Sequence, residues 1–432
     1  MLSYEQIVRI SLDSSRITES NPVERSLEET LSVNLLKRKP VKVLTGLRRC
    51  GKSHILKKIY RRLLDAGIPQ SNILFLNFEH DELSPSLTTT DLRAIYEQYK
   101  SRASAHPFFL FLDEVQNVTG WERFVRTLYD SSPDEIYITG SNSRLLSSEF
   151  STALGGRILE YAVYPFSFPE YLSGRNFNYR DEFYLQENRL LFRRYFDEYI
   201  RCGGLPETAG FSTENLTAYR ESLIEKIIIK DLMQHFQIRN PALLKTLLFW
   251  LGMNTGSLVN STHLGSDAGV SDKTVETYLR CLESAFFIRR IQKYVWKSRR
   301  IFTAQKKFYF IDPLFIPDAH SSRRIENLVY LALLRRYGKE DIFFHRDKDG
   351  HEVDFLVRRG ENSYAAIQVT AVLNDENQQR EFRSLLHLIK NISGQEISQH
   401  TFEVLCLADE RRHSKTPHPA IIVRPAERFL LG

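Results

Sequence analysis

The sequence is poor in cysteine, lacks long apolar runs and carries little net charge, and each shortage excludes a class of protein. Four cysteines lie far apart among 432 residues and form no CxxC pair, which favours a reduced, cytoplasmic protein without a zinc motif. No run approaches the roughly 18 apolar residues of a membrane span, and the N-terminal segment has no secretory pattern. The formal net charge of +6 permits a nucleic-acid partner but does not require one.

Hydrophobic residues make up 42% of the chain, enough for packed cores, and their pattern predicts three domains. These are an N-terminal domain with a leading helix at 1–175, a mostly helical segment at 176–307 and a C-terminal α/β domain at 308–432. Five short apolar runs alternate with helical patterns in the first domain: Val41–Thr45, Ile73–Phe78, Phe108–Leu112, Ile136–Thr139 and Ile158–Val163. This alternation predicts an α/β fold whose parallel sheet is covered on both faces.

A phosphate-binding motif follows the first predicted strand. Residues 46–53, GLRRCGKS, match G-x-x-x-x-G-K-[ST], and a helical pattern comes directly after them. Such a loop turns its backbone N–H groups towards phosphate, its lysine neutralises phosphate charge and its hydroxyl can bind Mg²⁺. We therefore expect Lys52 to bind phosphate and Ser53 to bind Mg²⁺. The other predicted nucleotide-binding residues are Gly46, Leu47, Arg48, Arg49, Cys50, Gly51 and His54.

Further candidates lie near the ends of the later strands. Asp113 and Glu114 follow the apolar run FFLFL, which places them beside the phosphate loop, where Asp113 would hold Mg²⁺ and Glu114 would orient the attacking water. Ser141 or Asn142, after the fourth strand, would contact the γ-phosphate, unless they form an ordinary polar turn. Arg157 would stabilise transition-state charge, in its own subunit or across the interface of an oligomer, unless it is a surface arginine.

Together these motifs resemble the bacterial and archaeal AAA-type ATPases of the AAA+/STAND group. The similarity rests on GLRRCGKS, LFLDEVQNVTGWE, ITGSNS and GGR, continues through YPFSFPEYL, RCGGLPE and IIIKDL, and covers essentially residues 20–432. It implies ATP·Mg²⁺ binding with slow or regulated hydrolysis by a P-loop NTPase domain. It also implies a winged helix and then a C-terminal domain of unknown function with a restriction-endonuclease-like fold, to which ENLV, HEVDFLV and IQVT are similar. No residue is assigned to the second arginine sensor of many AAA+ proteins.

A helix-turn-helix pattern and a basic stretch form a candidate nucleic-acid surface, residues 272–307. Gly269 separates two predicted helices, and the strand pattern of Phe286–Tyr294 that follows is typical of a winged helix. Residues 289–307 contain eight basic and no acidic residues, with aromatic rings between them, which suits contact with a nucleic-acid backbone. The second helix, Asp272–Ser284, begins with acidic residues, so a lid or an interdomain interface is the alternative.

The C-terminal pattern carries the remains of a nuclease site. A predicted helix with Glu326 precedes three strands, with Asp354 in the second and Gln368 and Thr370 at the end of the third. Restriction-endonuclease-like enzymes use an Asp and, one strand later, Glu-x-Lys to hold Mg²⁺ and activate water, often with an upstream helical Glu. Here Gln368 replaces the carboxylate and Thr370 the lysine, which favours an inactive remnant over an active nuclease. Glu352 is expected to point away from Asp354, which leaves Asp354 alone at the site.

Two histidines near these carboxylates leave a further choice open. His345 and His351 suggest a metal site, but their place on a predicted hairpin favours exposed turn histidines.

Our leading hypothesis is a Mg²⁺-dependent ATPase whose nucleotide state controls the arrangement of a winged helix and an inactive nuclease-like domain. The alternative is a nucleotide-regulated DNA-binding protein or nuclease.

Overall fold

The computed structural model describes most of the chain, which forms two compact units. The described residues are 2–17, 23–25, 27–28, 31, 40–83, 87–104, 107–140, 156–233, 236, 238, 240–294, 306–317, 321–390, 397–412 and 415–432, with the backbone alone at 229–231. One unit comprises residues 1–165 with 284–286, and the other 166–283 with 287–432. Among the helices in the described ranges, none combines the length and the apolar character that crossing a bilayer requires.

The first unit is built on a five-stranded parallel sheet, which confirms the predicted α/β class. Its strands are β1 Val41–Thr45, β2 Ile73–Asn77, β3 Phe109–Asp113, β4 Glu135–Gly140 and β5 Ile158–Ala162, in the order β2-β3-β4-β1-β5. All four pairs of neighbouring strands are parallel. The central strands β3, β4 and β1 are buried along their whole length, so they need apolar side chains on both faces.

The helices of the first unit begin with recognisable signals. They include α1 Tyr4–Ser15, α2 Lys52–Asp65, α3 Thr89–Lys100 and α4 Trp121–Ser131. Ser3 and Thr88 form capping boxes at the starts of α1 and α3, which satisfy the backbone N–H groups of the first turn. In contrast, α2 starts at the phosphate loop without a side-chain cap, so its first N–H groups stay available to an anion.

The second unit begins with helices. These are α5 Phe168–Gly174, α6 Glu182–Glu187, α7 Arg189–Cys202, α8 Thr213–Lys226 and α9 Pro241–Met253, with a π-helical segment at Ile227–Met233. Two further helices, α10 Ser261–Asp267 and α11 Asp272–Ser284, lie where the sequence predicts the helix-turn-helix. The turn between them contains Gly269, whose φ of 65° favours glycine.

A mixed sheet forms the rest of the second unit. Its eight described strands are β6 Leu258–Val259, β7 Ile288–Tyr294, β8 Lys306–Phe310, β9 Ile342–Arg346, β10 Glu352–Arg358, β11 Tyr364–Leu373, β12 Thr401–Asp409 and β13 Ile421–Pro425. They are ordered β13-β12-β11-β10-β9-β7-β8-β6, and the helices α12 Ser321–Tyr337, α13 Gln378–Lys390 and α14 Ala426–Leu431 belong to the same unit. Because β7 pairs with both β8 and β9, the strand after the helix-turn-helix shares a sheet with the C-terminal strands.

Candidate nucleotide site and acidic cavity

The phosphate loop joins β1 to α2 in a conformation that requires glycine at two positions. Gly46 has a φ of 153°, and a Cβ atom on it would lie 2.2 Å from the carbonyl oxygen of Val163. Gly51 has a φ of 100° and immediately precedes α2. A side chain at either position would strain the loop or displace the backbone after β5. The glycines of the motif are therefore explained by local geometry.

Lys52 is held inside the phosphate loop. Its Nζ donates hydrogen bonds to the carbonyl oxygens of Gly46 and Leu47, each at 3.1 Å, and lies 4.0 Å from Oε1 of Glu114. The Lys52 side chain is only 3% exposed. A buried ammonium beside a helix N-terminus is well placed to exchange these oxygen contacts for those of a phosphate.

Asp113 meets the hydroxyl of Ser53 at the end of β3. The Ser53 Oγ donates to Asp113 Oδ1 at 2.9 Å, and the Thr139 Oγ1 donates to the same oxygen at 2.5 Å. Burial and the nearby Glu114 carboxylate raise the pKa of Asp113 to about 6, although both hydroxyls oppose the rise. Within the described residues, Oδ2 of Asp113 is buried without a hydrogen-bond partner. A buried carboxylate oxygen next to a serine hydroxyl suits Mg²⁺, which prefers oxygen ligands.

Glu114 follows in a backbone conformation that turns it out of the strand. Its φ of 55° is in the left-handed region, which is uncommon outside glycine and often occurs at functional sites. The backbone N–H of Glu114 donates to Thr139 Oγ1 at 3.0 Å, and Gln116 Nε2 donates to Glu114 Oε2 at 2.5 Å. The structure thus brings together four predicted residues: Lys52, Ser53, Asp113 and Glu114.

Arg25 is a contact of the phosphate loop that the sequence did not reveal. Its Nη1 donates to the carbonyl oxygen of Cys50 at 2.9 Å, and its Nη2 donates to that of Tyr164 at 2.5 Å. Nearby, the carboxylate of Glu28 pairs with Lys58 of α2 at 3.0 Å. The only signal for Arg25 was its place in a predicted N-terminal helix, because no spacing rule links it to a loop about 25 residues later.

Other residues predicted for the nucleotide site differ in their exposure and in their polar contacts. Arg157 is half-exposed, and its Nη1 donates to Asp130 Oδ1 at 2.6 Å. Arg48 is buried, and its Nη1 lies 3.0 Å from Glu79 Oε1. His54 is half-buried in the first turn of α2, while Ser141 and Asn142 lie outside the described residues.

A second group of charged residues lines a cavity of about 600 Å³ in the second unit, which we call the acidic cavity. At its base Lys307 of β8 is 1% exposed, and its Nζ lies 2.6 Å from Glu352 Oε1, 3.6 Å from Asp354 Oδ1 and 4.0 Å from Glu326 Oε1. The prediction that Glu352 points away from Asp354 was wrong. Residues two apart on a strand share a face, so both carboxylates reach the same lysine.

One ammonium faces three carboxylates in the acidic cavity, and the pKa values of Asp354 and Lys307 reflect the imbalance. Burial, followed by the charge of Glu326, raises the pKa of Asp354 to about 8. Burial by itself would lower the pKa of Lys307, but Asp354, Glu326 and Glu352 together raise it. Lys307 is therefore held charged, and Asp354 is the carboxylate that most readily retains a proton.

The wall of the acidic cavity contains the two substituted positions. Gln368 Nε2 donates to Glu381 Oε2 of α13 at 3.3 Å, while its Oε1 is buried without a partner among the described residues. Thr370 Oγ1 donates to the carbonyl oxygen of Val372 at 3.0 Å, so its hydroxyl is engaged with the backbone. The structure therefore brings Glu326, Asp354 and Gln368 around one cavity, as the sequence predicts, and adds Lys307 and Glu381.

Much of the basic stretch 289–307 lies outside the described residues, which stop at 294 and resume at 306. Three of its described members, Arg290, Lys306 and Lys307, have acidic partners within the same unit. Arg290 contacts Glu283 and Glu276, and Lys306 Nζ lies 3.7 Å from Glu276 Oε2. Because Lys307 is buried in the acidic cavity, these three basic residues are engaged internally.

Comparison with known proteins matches three consecutive parts of the chain. An AAA domain model matches residues 38–172, and two domains of unknown function match residues 193–316 (DUF8612) and 323–420 (DUF4143). The walker-type ATPase PABY2304 of Pyrococcus abyssi is similar over 70% of this chain and 96% of its own, at 16% identity and a TM-score of 0.44.

Two relatives cover most of the chain. An uncharacterized protein of Haemophilus influenzae is 29% identical over 362 residues, which are 81% of this chain and 87% of the relative. Uncharacterized protein MJ1544 of Methanocaldococcus jannaschii is 30% identical over 400 residues, which are 90% of this chain and 86% of the relative. The chain therefore belongs to the same family as MJ1544, and within this chain an AAA domain precedes two domains of unknown function.

Proposed function

We propose that this protein binds ATP with Mg²⁺ and hydrolyses it. One observation carries the proposal: four side chains converge around the phosphate loop at the carboxyl ends of β1 and β3. They are Lys52, Ser53, Asp113 and Glu114. Lys52 would bind phosphate, Ser53 and Asp113 would hold Mg²⁺, and Glu114 would orient the attacking water. Bound Mg²⁺ would supply charge neutralisation at the phosphates.

Calorimetry and phosphate release together test this proposal. Wild-type protein should bind ATP in the presence of Mg²⁺, and Lys52→Ala should bind it far more weakly. Glu114→Gln should retain binding but lose turnover by about 100-fold or more, the usual contribution of a group that activates water. Glu97→Gln, on an exposed carboxylate of α3, is the matched control and should behave like the wild type. Wild-type protein that binds no ATP would refute the proposal.

We further propose that the C-terminal domain is a restriction-endonuclease-like domain without nuclease activity. The position of Lys307 supports this, because its ammonium lies among the carboxylates where such enzymes hold Mg²⁺. Gln368 and Thr370 moreover lack the charge and the basicity of the residues they replace. DNA of mixed single- and double-stranded form should stay intact with Mg²⁺ or Mn²⁺. Cleavage by wild type that Asp354→Asn abolishes would show that the site is active.

The same proposal includes a regulatory relation between the domains, with boundaries at 1–175, 176–307 and 308–432. Nucleotide state would control the arrangement of a winged helix, formed by α10, α11 and β7, and of the C-terminal domain. The succession of helix, turn, helix and strand supports the winged helix. Hydrogen exchange in residues 261–294 should change when ATP·Mg²⁺ is added to Glu114→Gln, which traps the bound state. Unchanged exchange would argue against this control.

A further inference from the structure

A group of two histidines and two aspartates contains none of the residues assigned to the two sites described above. Asp347, Asp349 and His351 belong to the turn between β9 and β10, and His387 lies on α13. One potential ligand atom from each of the four residues lies within 4.8 Å of the others. We call this group the His–Asp cluster. It joins two elements that are 36 residues apart in the sequence, from His351 to His387.

The turn is ordered by one oxygen of Asp347, which leaves the other oxygen for the histidines. Asp347 Oδ1 accepts hydrogen bonds from the backbone N–H groups of Asp349 at 2.9 Å and His351 at 2.8 Å. Asp347 Oδ2 lies 2.8 Å from His351 Nδ1 and 3.7 Å from His387 Nδ1. The backbone thus fixes the carboxylate with one oxygen directed at two imidazole nitrogens.

The two imidazoles lie face to face beside the same carboxylate oxygen. Their ring centroids are 3.9 Å apart with an interplanar angle of 27°. The contact of 3.7 Å from His387 Nδ1 to Asp347 Oδ2 is too long for a hydrogen bond. Two imidazolium ions in this arrangement would repel each other, whereas a cation between the ring nitrogens and the carboxylates would be attracted by every member.

These distances fit four-coordinate metal geometry. With metal–nitrogen and metal–oxygen bonds of about 2.0–2.1 Å, the ligand atoms of a tetrahedron lie about 3.3 Å apart. Two separations in the His–Asp cluster, 2.8 and 3.7 Å, bracket this value, and since the four ligand atoms lie within 4.8 Å of one another, small side-chain movements would complete the tetrahedron. Two imidazole nitrogens and two carboxylate oxygens favour Zn²⁺ and similar transition metals over Mg²⁺ or Ca²⁺, which prefer oxygen ligands alone.

We propose that Asp347, Asp349, His351 and His387 form a site for a divalent transition metal, with Zn²⁺ as the preferred ion. The ion would attach the β9–β10 turn to α13. Asp349 and His351 also line the acidic cavity, so the ion would fix one edge of that cavity. This proposal does not depend on nucleotide binding, because the His–Asp cluster belongs to a different unit from the phosphate loop.

Competition with a chromophoric chelator tests the site in full-length protein that has first been stripped of metal. Wild-type protein should bind one Zn²⁺ at the His–Asp cluster, more tightly than at any other site on the chain. His351→Ala and His387→Ala should each weaken this binding at least tenfold. His263→Ala removes an exposed imidazole of α10 outside the cluster, and it should bind Zn²⁺ like the wild type.

Two further measurements separate loss of a ligand from loss of folding. Without metal, the two cluster variants should unfold at the wild-type temperature, since their imidazoles are partly exposed, and added Zn²⁺ should raise that temperature in wild type alone. Co²⁺ in the wild type should give the intense visible absorption of a four-coordinate ion. Equal Zn²⁺ affinity in wild type and both variants, or no tight Zn²⁺ binding by wild type, would overturn the proposal.

Discussion

Thr139 Oγ1 donates a hydrogen bond to Asp113 Oδ1 at 2.5 Å and accepts one from the backbone N–H of Glu114 at 3.0 Å. Thr139 lies near the end of β4, Asp113 is the last residue of the neighbouring strand β3, and Glu114 follows it. One hydroxyl therefore orients both carboxylate-bearing residues of the proposed ATPase site. Thr139 is therefore a positioning residue, since it acts through Asp113 and Glu114.

Replacement of Thr139 by valine should impair turnover and shift its pH dependence. Valine has the same shape but leaves the buried N–H of Glu114 without an acceptor, which costs about 1–3 kcal/mol of stability. The Thr139 hydroxyl lowers the pKa of Asp113, so its loss raises that pKa further. The rise of ATP hydrolysis with pH at fixed Mg²⁺ should therefore move to higher pH. Thr139→Ser keeps the hydroxyl and should retain the wild-type profile; a wild-type profile in Thr139→Val would contradict the assigned role.

Arg25→Met should weaken ATP binding by about tenfold. The substitution keeps much of the apolar stem but removes the guanidinium that joins the carbonyl oxygens of Cys50 and Tyr164. Those oxygens would lose a charged donor, so more of the binding energy would go to ordering the loop. Arg16→Met, on an exposed side chain after α1, is the control. Calorimetry with ATP·Mg²⁺ should separate the two variants, and equal affinities would exclude a role for Arg25.

The first unit was largely predictable from the sequence, for a physical reason. A parallel sheet buried on both faces requires continuous apolar runs, and these mark β1 to β4 to within one residue at each end, whereas the edge strand β5 is half-buried or exposed. The phosphate loop and Asp113 follow directly from where those runs end. The predicted γ-phosphate contact, Ser141 or Asn142, lies outside the described residues, and the role of Thr139 could not be predicted because sequence spacing does not show which hydroxyl turns towards β3.

The acidic cavity shows where sequence reasoning stops. The basic stretch 289–307, which the sequence predicts to contact nucleic acid, includes Lys307, yet this lysine is 1% exposed and faces three carboxylates. Its partners Glu326 and Asp354 come from other elements of the unit, and the pairing of β7 with both β8 and β9 brings these elements together only in the folded chain. His387 was missed for the same reason, since α13 and the β9–β10 turn meet only in the folded chain.

Lys307→Met should lower the stability of the second unit, and the loss of stability relative to wild type should be larger at high pH. Removal of one partner from a buried ion pair leaves uncompensated charge and costs about 3–5 kcal/mol. The ammonium lowers the pKa of Asp354, so without it that pKa would rise further and the folded variant would bind a proton that the unfolded chain releases. Its stability therefore falls as pH rises. The loss of thermal stability relative to wild type should be larger at pH 8 than at pH 6.

The same variant tests whether Lys307 takes the place of a cation. Mn²⁺ should raise the unfolding temperature of Lys307→Met by more than that of wild type, because the carboxylates are then free to bind it. Lys339→Met, on an exposed lysine of the same unit, should respond to pH and Mn²⁺ as the wild type does. A pH-independent loss in Lys307→Met would show that its charge is not what stabilises the cavity.

Asp312 provides a pH-dependent contribution to stability that a single amide substitution should remove. The side chain is fully buried, and it accepts hydrogen bonds from the backbone N–H groups of Gly204 and Leu314, each at 2.8 Å. Burial nevertheless raises the pKa of Asp312 to about 6, above the value near 3.9 of an unfolded chain. Between pH 4 and 6 the folded state therefore holds the extra proton, and this stabilisation is lost as pH rises through 6.

The amide of Asp312→Asn does not titrate, so the stability of this variant should not show the fall with rising pH that Asp312 causes in wild type. Its amide nitrogen faces a backbone donor, which should make the variant less stable than wild type by about 1–3 kcal/mol at pH 4.5. The deficit should shrink towards pH 7, because wild type alone then carries a buried charge. Thermal unfolding of both proteins across this range measures the difference, in which titrations common to both cancel. A deficit that is constant or grows with pH would mean that Asp312 is ionised throughout, and that its two N–H donors outweigh burial.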